Sequence, residues 1–398
     1  MTLDIPSVQD LLRFRAVDSY GASRHISALL PALSAAIGHC LPTVMHPDPE
    51  ADRSALGLPR VDSVVVALVD GLGFWNLVLR VGHAPYLRKL MERQGNDEPI
   101  VTTVPSTTPI VLGTFGTGTC PGMTGMVGFT QLNEATGGIG QLISFAGAPD
   151  PARLQCQQTI FERLIDDGVR VTSVGLPKFA HSSLTRAALR GGEYRGSLRV
   201  ERRVEAACQA ARTPGITYYY IEDVDKAGHR FGPASDQWAM ALENADAQLK
   251  ALHRSLPSGT LLVITADHGM VAPNSSERID IARDPALADG VALVGGEPRI
   301  VMLYAQRGTQ ADQLAARWRD RLGERALVLT RYEAIERGFY GQVENRVEPL
   351  IGDVVVCAAG LGFIVDSRIQ SEESMSLPGM HGSLTRLERE IPCLIDVA

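Results

Sequence analysis

Four runs of β-branched and apolar residues constrain this chain more than anything else in it: VDSVVVALVD (61–70), GVRVTSVG (168–175), GITYYYIED (215–223) and GTLLVITADHG (259–269). Unbroken apolar stretches of this length suit strands covered on both faces, as in a parallel sheet, and not the alternation of a half-exposed antiparallel one. Between them lie helix candidates: APYLRKLMERQ (84–94), TIFERLIDDG (159–168), VERRVEAACQAA (200–211) and SDQWAMALENADAQLKALHRSL (235–256). The alternation predicts an α/β protein, a three-layer α/β/α sandwich with a mainly parallel central sheet. In such sheets ligands gather at the carboxyl ends of the strands.

With 398 residues, of which 45% are hydrophobic and 21% charged, there is enough apolar material for one large core with insertions. Residues 1–60 read as an N-terminal helical extension ending in a connector, HPDPEADRSALGLPR (46–60), and residues 61–398 as the main domain. A small β-α-β lobe is expected within it at about 297–345, from RIVMLYA, TQADQLAARWRDRLG and ALVLTRYEAIERGFYG. The net charge of −7, without a long basic block, argues against binding a nucleic-acid polymer. An anionic ligand would then need a local positive charge, which metal ions can supply. No apolar run reaches the ~18 residues of a membrane span, and MTLDIPSVQDLLRFRAVD has early acids and no apolar signal core, so no membrane association and a cytoplasmic location are expected. The six cysteines are scattered without a CxxC pair, which indicates neither a zinc knuckle nor a disulfide framework.

Three of the strand candidates end in chemistry. The first closes on Asp70, the third runs into DVDKAGH with Asp225 and His229 four apart, and the fourth closes on Asp267 and His268. Four-residue spacing lets two side chains face one ion from a single helical turn, or leaves a surface Asp and a capping His. An adjacent Asp and His at the rim of a buried strand are tolerable only with a partner or a metal. Asp70 reads the same way, or as a helix cap. His381, in GMHGS, sits between glycines on a tight loop and has the least support from the sequence.

The stretch PSTTPIVLGTFGTG (105–118) holds five hydroxyls and no acid, base or histidine. Pro109 suits the first helical position, which puts Thr108 at the N-cap, where free N–H groups favour an anion such as phosphate. Thr108 is then either a cap alone or a nucleophile whose missing base is a metal ion.

The ordered set Asp70, PSTT, DVDKAGH, ADHGM and a late MHG, spread over residues 61 to 385, resembles the alkaline phosphatase superfamily, and within it the type I phosphodiesterase and nucleotide pyrophosphatase family. The resemblance implies an alkaline phosphatase-like fold and two divalent metal ions, zinc first, with manganese or iron compatible with the same nitrogen and oxygen donors. By motif, Asp225, His229 and His381 would hold one ion; Asp70, Asp267, His268 and the Thr108 oxygen would hold the other. The family's Pro-x-x-Thr pattern and the downstream Thr117-Gly118 favour Thr108 over Thr107 as nucleophile. The family often places an Asn about 21 residues after the nucleophile to bind a phosphoryl oxygen; here that position is Phe129.

The implied activity is hydrolysis of phosphodiester or nucleotide pyrophosphate bonds through a phospho-threonine intermediate, on a small phosphate ester or nucleotide. Phosphomonoesters, phosphonates or phosphosugar mutation form the alternative on the same metals, and no arginine stands immediately after the nucleophile to grip a dianion. A non-catalytic metal-stabilised binding protein is the alternative of another class. After the second strand, LPKFAHSSLTR (176–186) either contacts the leaving group through Lys178, His181 or Ser183 or is a solvated loop.

Overall fold

Val64 to Val69 include no polar side chain, so a strand built from them needs cover on both faces, and the computed structural model, which describes residues 5–398, provides it. Ten strands carry the architecture: β1 Ser63–Val69, β2 Arg170–Gly175, β3 Glu193–Gly196, β4 Gly215–Ile221, β5 Leu261–Thr265, β6 Val291–Glu297, β7 Ile300–Ala305, β8 Ala326–Thr330, β9 Val354–Ala358 and β10 Cys393–Val397. The central sheet has the order β10-β5-β1-β4-β2-β3. All its pairings are parallel except that of β10, which runs antiparallel along β5. All of β1 and β5 is buried, as expected for strands sandwiched between helical layers. The α/β sandwich with a mainly parallel sheet is therefore the observed fold.

Five helices position the site or brace the sheets around it: α1 Ile26–Ala36, α2 Thr108–Thr117, α3 Asp223–Phe231, α4 Asp236–Ser255 and α5 Ala311–Leu322. Every residue of α1 and of α2 is buried, and the two pack on each other. The connector at 46–60 contains a helix, Pro49–Ala55, because the Asp48 side chain accepts from the N–H of Ala51 and Pro49 fits the first turn. Residues 1–4 of the expected extension lie outside the described residues.

The segment 297–345, expected as a β-α-β lobe, supplies β7, α5 and β8. Its sheet is four-stranded and antiparallel, in the order β6-β7-β9-β8, with α5 packed on it. The hairpin partner β6 and the closing strand β9 extend outside those bounds, and RIVMLYA pairs with both of them. Among the described residues, no helix is long and apolar enough to cross a membrane.

Candidate functional site

The carboxyl ends of β1, β4 and β5 are neighbours in the sheet, so the segments leaving these strands meet. Asp70 comes directly after β1, and Gly71 turns the chain at φ 71°; a Cβ on Gly71 would stand 2.9 Å from the Cα of Asp225, so only glycine lets this turn and α3 approach so closely. Asp225 and His229 lie one turn apart on α3, with Asp225 Oδ1 3.4 Å from His229 Nε2. Asp267 and His268 come just after β5, and Asp267 Oδ1 accepts from the backbone N–H groups of Gly71 and His268, each at 3.0 Å. The loop carrying His381 returns to this edge through a bridge between Met380 and Val271.

Thr108 also arrives here, though not as the helix cap. α2 begins at Thr108 itself, and Thr107, extended at φ −141° and ψ 143°, holds the N-cap position without a side-chain cap bond. The correction is one residue: Pro109 occupies the turn after Thr108, which frees the Thr108 hydroxyl from capping. Its Oγ1 lies 3.2 Å from His268 Nε2 and 3.5 Å from Asp70 Oδ1.

Each of the three histidines has its Nδ1 against a backbone carbonyl: His229 on Gly379 at 2.9 Å, His268 on Gly269 at 3.1 Å and His381 on Ser106 at 2.9 Å. A carbonyl only accepts, so Nδ1 carries the proton and each Nε2 keeps its lone pair for the cluster. His268 and His381 stack with ring centroids 3.6 Å apart, and the Nε2 atoms of His229 and His381 face each other at 3.2 Å. Two lone pairs at that distance repel unless something positive joins them. In the same cluster Asp225 Oδ1 and Asp267 Oδ2 are buried without a hydrogen-bond partner. These orphaned acceptor oxygens and lone pairs are what a cation would satisfy, and the residues fit one.

Two groups bring their donor atoms within 4.8 Å of one another: Asp70, Asp267 and His268, and Asp225, His268 and His381. His268 thus stands between the two ligand sets that the motifs keep separate, while His229 flanks the second. Burial raises the carboxyls of Asp70, Asp225 and Asp267, that of Asp225 to about 6, and neighbouring Asp267 and Asp225 push Asp70 higher still. Burial also pushes the His268 imidazole down to about 3 and that of His381 well below its ordinary value. Without a cation the cluster favours neutral groups; a bound cation would hold the carboxylates ionised.

Two cavities flank the cluster. The smaller, about 180 Å³, is lined by Thr108, Leu112, Lys178, Phe179, Tyr218 and Tyr220 among others, and the larger, about 950 Å³, by Phe129, His229, Glu297 and His381 among others. Lys178 therefore reaches the Thr108 side, held by Glu222 at 2.7 Å, and Phe129 the opposite side. His181 is exposed and lines neither cavity, and Ser182 lines the smaller one where Ser183 was expected. Physically, Ser182 caps the helix Ser183–Ala188, which turns His181 outward to solvent ahead of it.

Two further residues bear on the cluster without any motif to mark them. Tyr220 donates its hydroxyl to Asp70 Oδ2, and Glu297, at the end of β6, puts Oε2 3.6 Å from His381 Nδ1. Burial holds the Glu297 carboxyl well above its usual range. Tyr220 lies in the unbroken run of β4, five residues before Asp225, with no pattern to single it out, and nothing in the sequence pointed to Glu297.

The family profile described as Type I phosphodiesterase / nucleotide pyrophosphatase matches residues 64–384, most of the chain. A venom phosphodiesterase of Naja atra is 36% identical over 96 residues, 23% of this chain and 11% of that protein. A phosphopentomutase of Anaeromyxobacter dehalogenans is 31% identical over 163 residues, 40% of each chain. The matched stretches thus span well under two thirds of these relatives. Among solved structures, murine ectonucleotide pyrophosphatase / phosphodiesterase 5 superposes with a TM-score of 0.66 at 18% identity, covering 84% of this chain and 87% of that one. Phosphonoacetate hydrolase from Sinorhizobium meliloti does so with a TM-score of 0.61 at 19% identity, covering 85% and 90%. The structural likenesses establish the fold, and the profile establishes membership: the chain belongs to the type I phosphodiesterase / nucleotide pyrophosphatase family.

Proposed function

We propose that this protein is a metal-dependent hydrolase of phosphodiester or nucleotide pyrophosphate bonds that works through a phospho-threonine at Thr108. The observation that carries the reading is the Thr108 hydroxyl at the start of α2, 3.2 Å from His268 Nε2, within a cluster whose buried carboxylate oxygens lack partners. Asp70, Asp267 and His268 on one side, and Asp225, His229 and His381 on the other, would hold two divalent ions, zinc being the best match to these donors. Bound there, such ions supply Lewis-acid stabilisation of phosphoryl oxygens and lower the pKa of a coordinated hydroxyl.

The chain's own residues do the rest. At the start of α2 the N–H groups of Thr108 and Ile110 would be available to a phosphoryl oxygen, Pro109 having none, and the histidine Nδ1 bonds hold the imidazoles in one tautomer. The Thr108 oxygen, its proton lost to solvent, bonds to phosphorus while the ester bond on the far side breaks with its electron pair on the departing oxygen. Water then attacks phosphorus and Thr108 leaves, recovering a proton. The small cavity beside Thr108, with Tyr220, Phe179 and Lys178, is placed to hold the substituent that stays on the phosphoryl group. A related fold, that of murine ectonucleotide pyrophosphatase / phosphodiesterase 5, has been solved as an inactive variant in complex with AMP, which supports a nucleotide-sized substrate.

The test is acid quench of the enzyme during turnover of an aryl phosphodiester, then peptide mass spectrometry. A phosphoryl group still bearing the substrate's remaining ester substituent is expected on Thr108, absent in Thr108→Ala, whose kcat falls on the order of 10³-fold or more. Thr107→Ala should keep much of its activity. The same adduct on Thr107, or none with full turnover in Thr108→Ala, would refute the assignment. The phosphopentomutase match favours one second reading, phosphoryl transfer on a phosphosugar by the same threonine; assay with a pentose phosphate separates it.

A further inference from the structure

We infer that the large cavity beside His229 and His381 receives the leaving group, and that this group is an uncharged, mainly apolar alcohol; the inference rests on the hydrolase reading above. Position comes first. Thr108 lines the small cavity and not the large one, whereas His229 and His381 line the large one and not the small. The His268 ring lies between, its Nε2 3.2 Å from Thr108 Oγ1 and its face stacked on His381. In-line displacement sets attacking and departing oxygens on opposite sides of phosphorus. An attack from Thr108 therefore drives the departing oxygen toward His381 and its substituent into the large cavity.

The cavity's chemistry then selects the substituent. At about 950 Å³ it is large enough for a drug-sized group, and its walls include Leu293, Val294, Val301, Ile364, Leu377 and Met380. Its charged groups are Glu297, Asp366 and Arg368, and the Arg368 guanidinium is held by Asp366 at 2.6 Å. Glu297 is nearly enclosed, with Oε1 free of any hydrogen-bond partner. Beyond the ion that His229 and His381 would hold at its mouth, a departing pyrophosphate would find no unpaired protein cation among the cavity's lining residues and would face a carboxyl, whereas an apolar alcohol would bury its surface. Diesters of apolar alcohols are therefore better substrates than nucleoside triphosphates.

The experiment uses the full-length, metal-loaded chain and three methyl phosphodiesters whose leaving phenols are similar in acidity: 4-nitrophenol, the larger neutral 4-methylumbelliferone, and the anionic 3-carboxy-4-nitrophenol. The kcat/KM for the umbelliferyl ester should exceed that for the carboxylated ester at least ~10-fold, about 1.4 kcal/mol. Val294→Arg, or Leu377→Arg should the first fail to fold, should cut that ratio several-fold. Leu112→Trp, in the small cavity, should not move it. As a readout independent of turnover, free 4-methylumbelliferone should bind Thr108→Ala protein by fluorescence titration and bind more weakly when Val294→Arg is added. No preference among the esters, a ratio moved by Leu112→Trp alone, or binding indifferent to Val294→Arg would overturn the inference. If none of the three esters were cleaved, the hydrolase reading would fall, and the titration would still decide what the cavity binds.

Discussion

At the scale of single residues, the site is a set of groups each buried at a cost that only its neighbours offset. Asp267 has one oxygen on two backbone N–H groups and the other on nothing. Asp267→Asn keeps the first role and loses the charge needed for the second, so elemental analysis should show about one ion fewer per chain, with His229→Ala acting on the other ion. Tyr220→Phe removes only the hydroxyl that orients Asp70, and metal affinity by competitive chelation should fall roughly 10- to 100-fold with the fold intact. The clustering of Asp70, Asp267 and His268 was legible because a costly side chain at the end of an apolar strand announces a partner, and that of Asp225 with His229 from their four-residue spacing. His381 was legible only through the family pattern, since the Ser106 carbonyl and the Val271 bridge that place it are tertiary contacts. Glu297 was not legible, because an acid at a strand end is ordinarily solvated and the loop whose Gly382 lies against it arrives from far along the chain.

At the scale of elements, the helix α1 is tied down by a buried relay. Ser27 Oγ lies 2.9 Å from His46 Nε2, and His46 Nδ1 2.9 Å from Asp52 Oδ2. These are the distances of a serine hydrolase triad, but Ser27 is fully buried and donates to the Tyr20 carbonyl, so the arrangement serves structure. Asp52→Asn should cost about 1–3 kcal/mol in denaturant unfolding, with the aryl-ester activity of the folded fraction retained. Arg299 and Glu388 form a second tie, a fully buried pair 2.9 Å apart that joins the β6–β7 hairpin to the segment beyond His381. Arg299→Met leaves Glu388 unpaired and should destabilise by about 3–5 kcal/mol, read from the midpoint of thermal unfolding. The helix in the connector was signalled by DPE, an Asp cap with Pro after it, which the loop-like composition around it outweighed.

At the scale of the whole molecule, removal of metal should make stability depend on pH in a defined sense. Burial raises the Asp225 carboxyl to about 6, above its unfolded value. A raised carboxyl pKa means the fold binds the proton more tightly, so its stabilising contribution is complete at acid pH and is lost as pH rises through about 6. In chelated protein the Asp225 contribution should therefore be lost between about pH 4 and pH 6 and change little above, so paired calorimetric scans of chelated native and chelated Asp225→Asn protein should diverge over that window and run parallel beyond it; a divergence confined to higher pH would contradict this. The central sheet was legible because its strands are buried on both faces and carry their pattern openly. The antiparallel sheet was half legible, since β6 holds two glycines and β9 lies after an irregular stretch, and neither declares its partner. That sheet also divides labour within the molecule: the groups proposed for bond making stand on the central sheet's edge, while one wall of the large cavity is the hairpin β6–β7. Evolution, or a library randomised over Leu293 and Val294, could therefore retune which alcohol departs while the reactive cluster stays as it is, so that relatives sharing every site motif need not share a substrate.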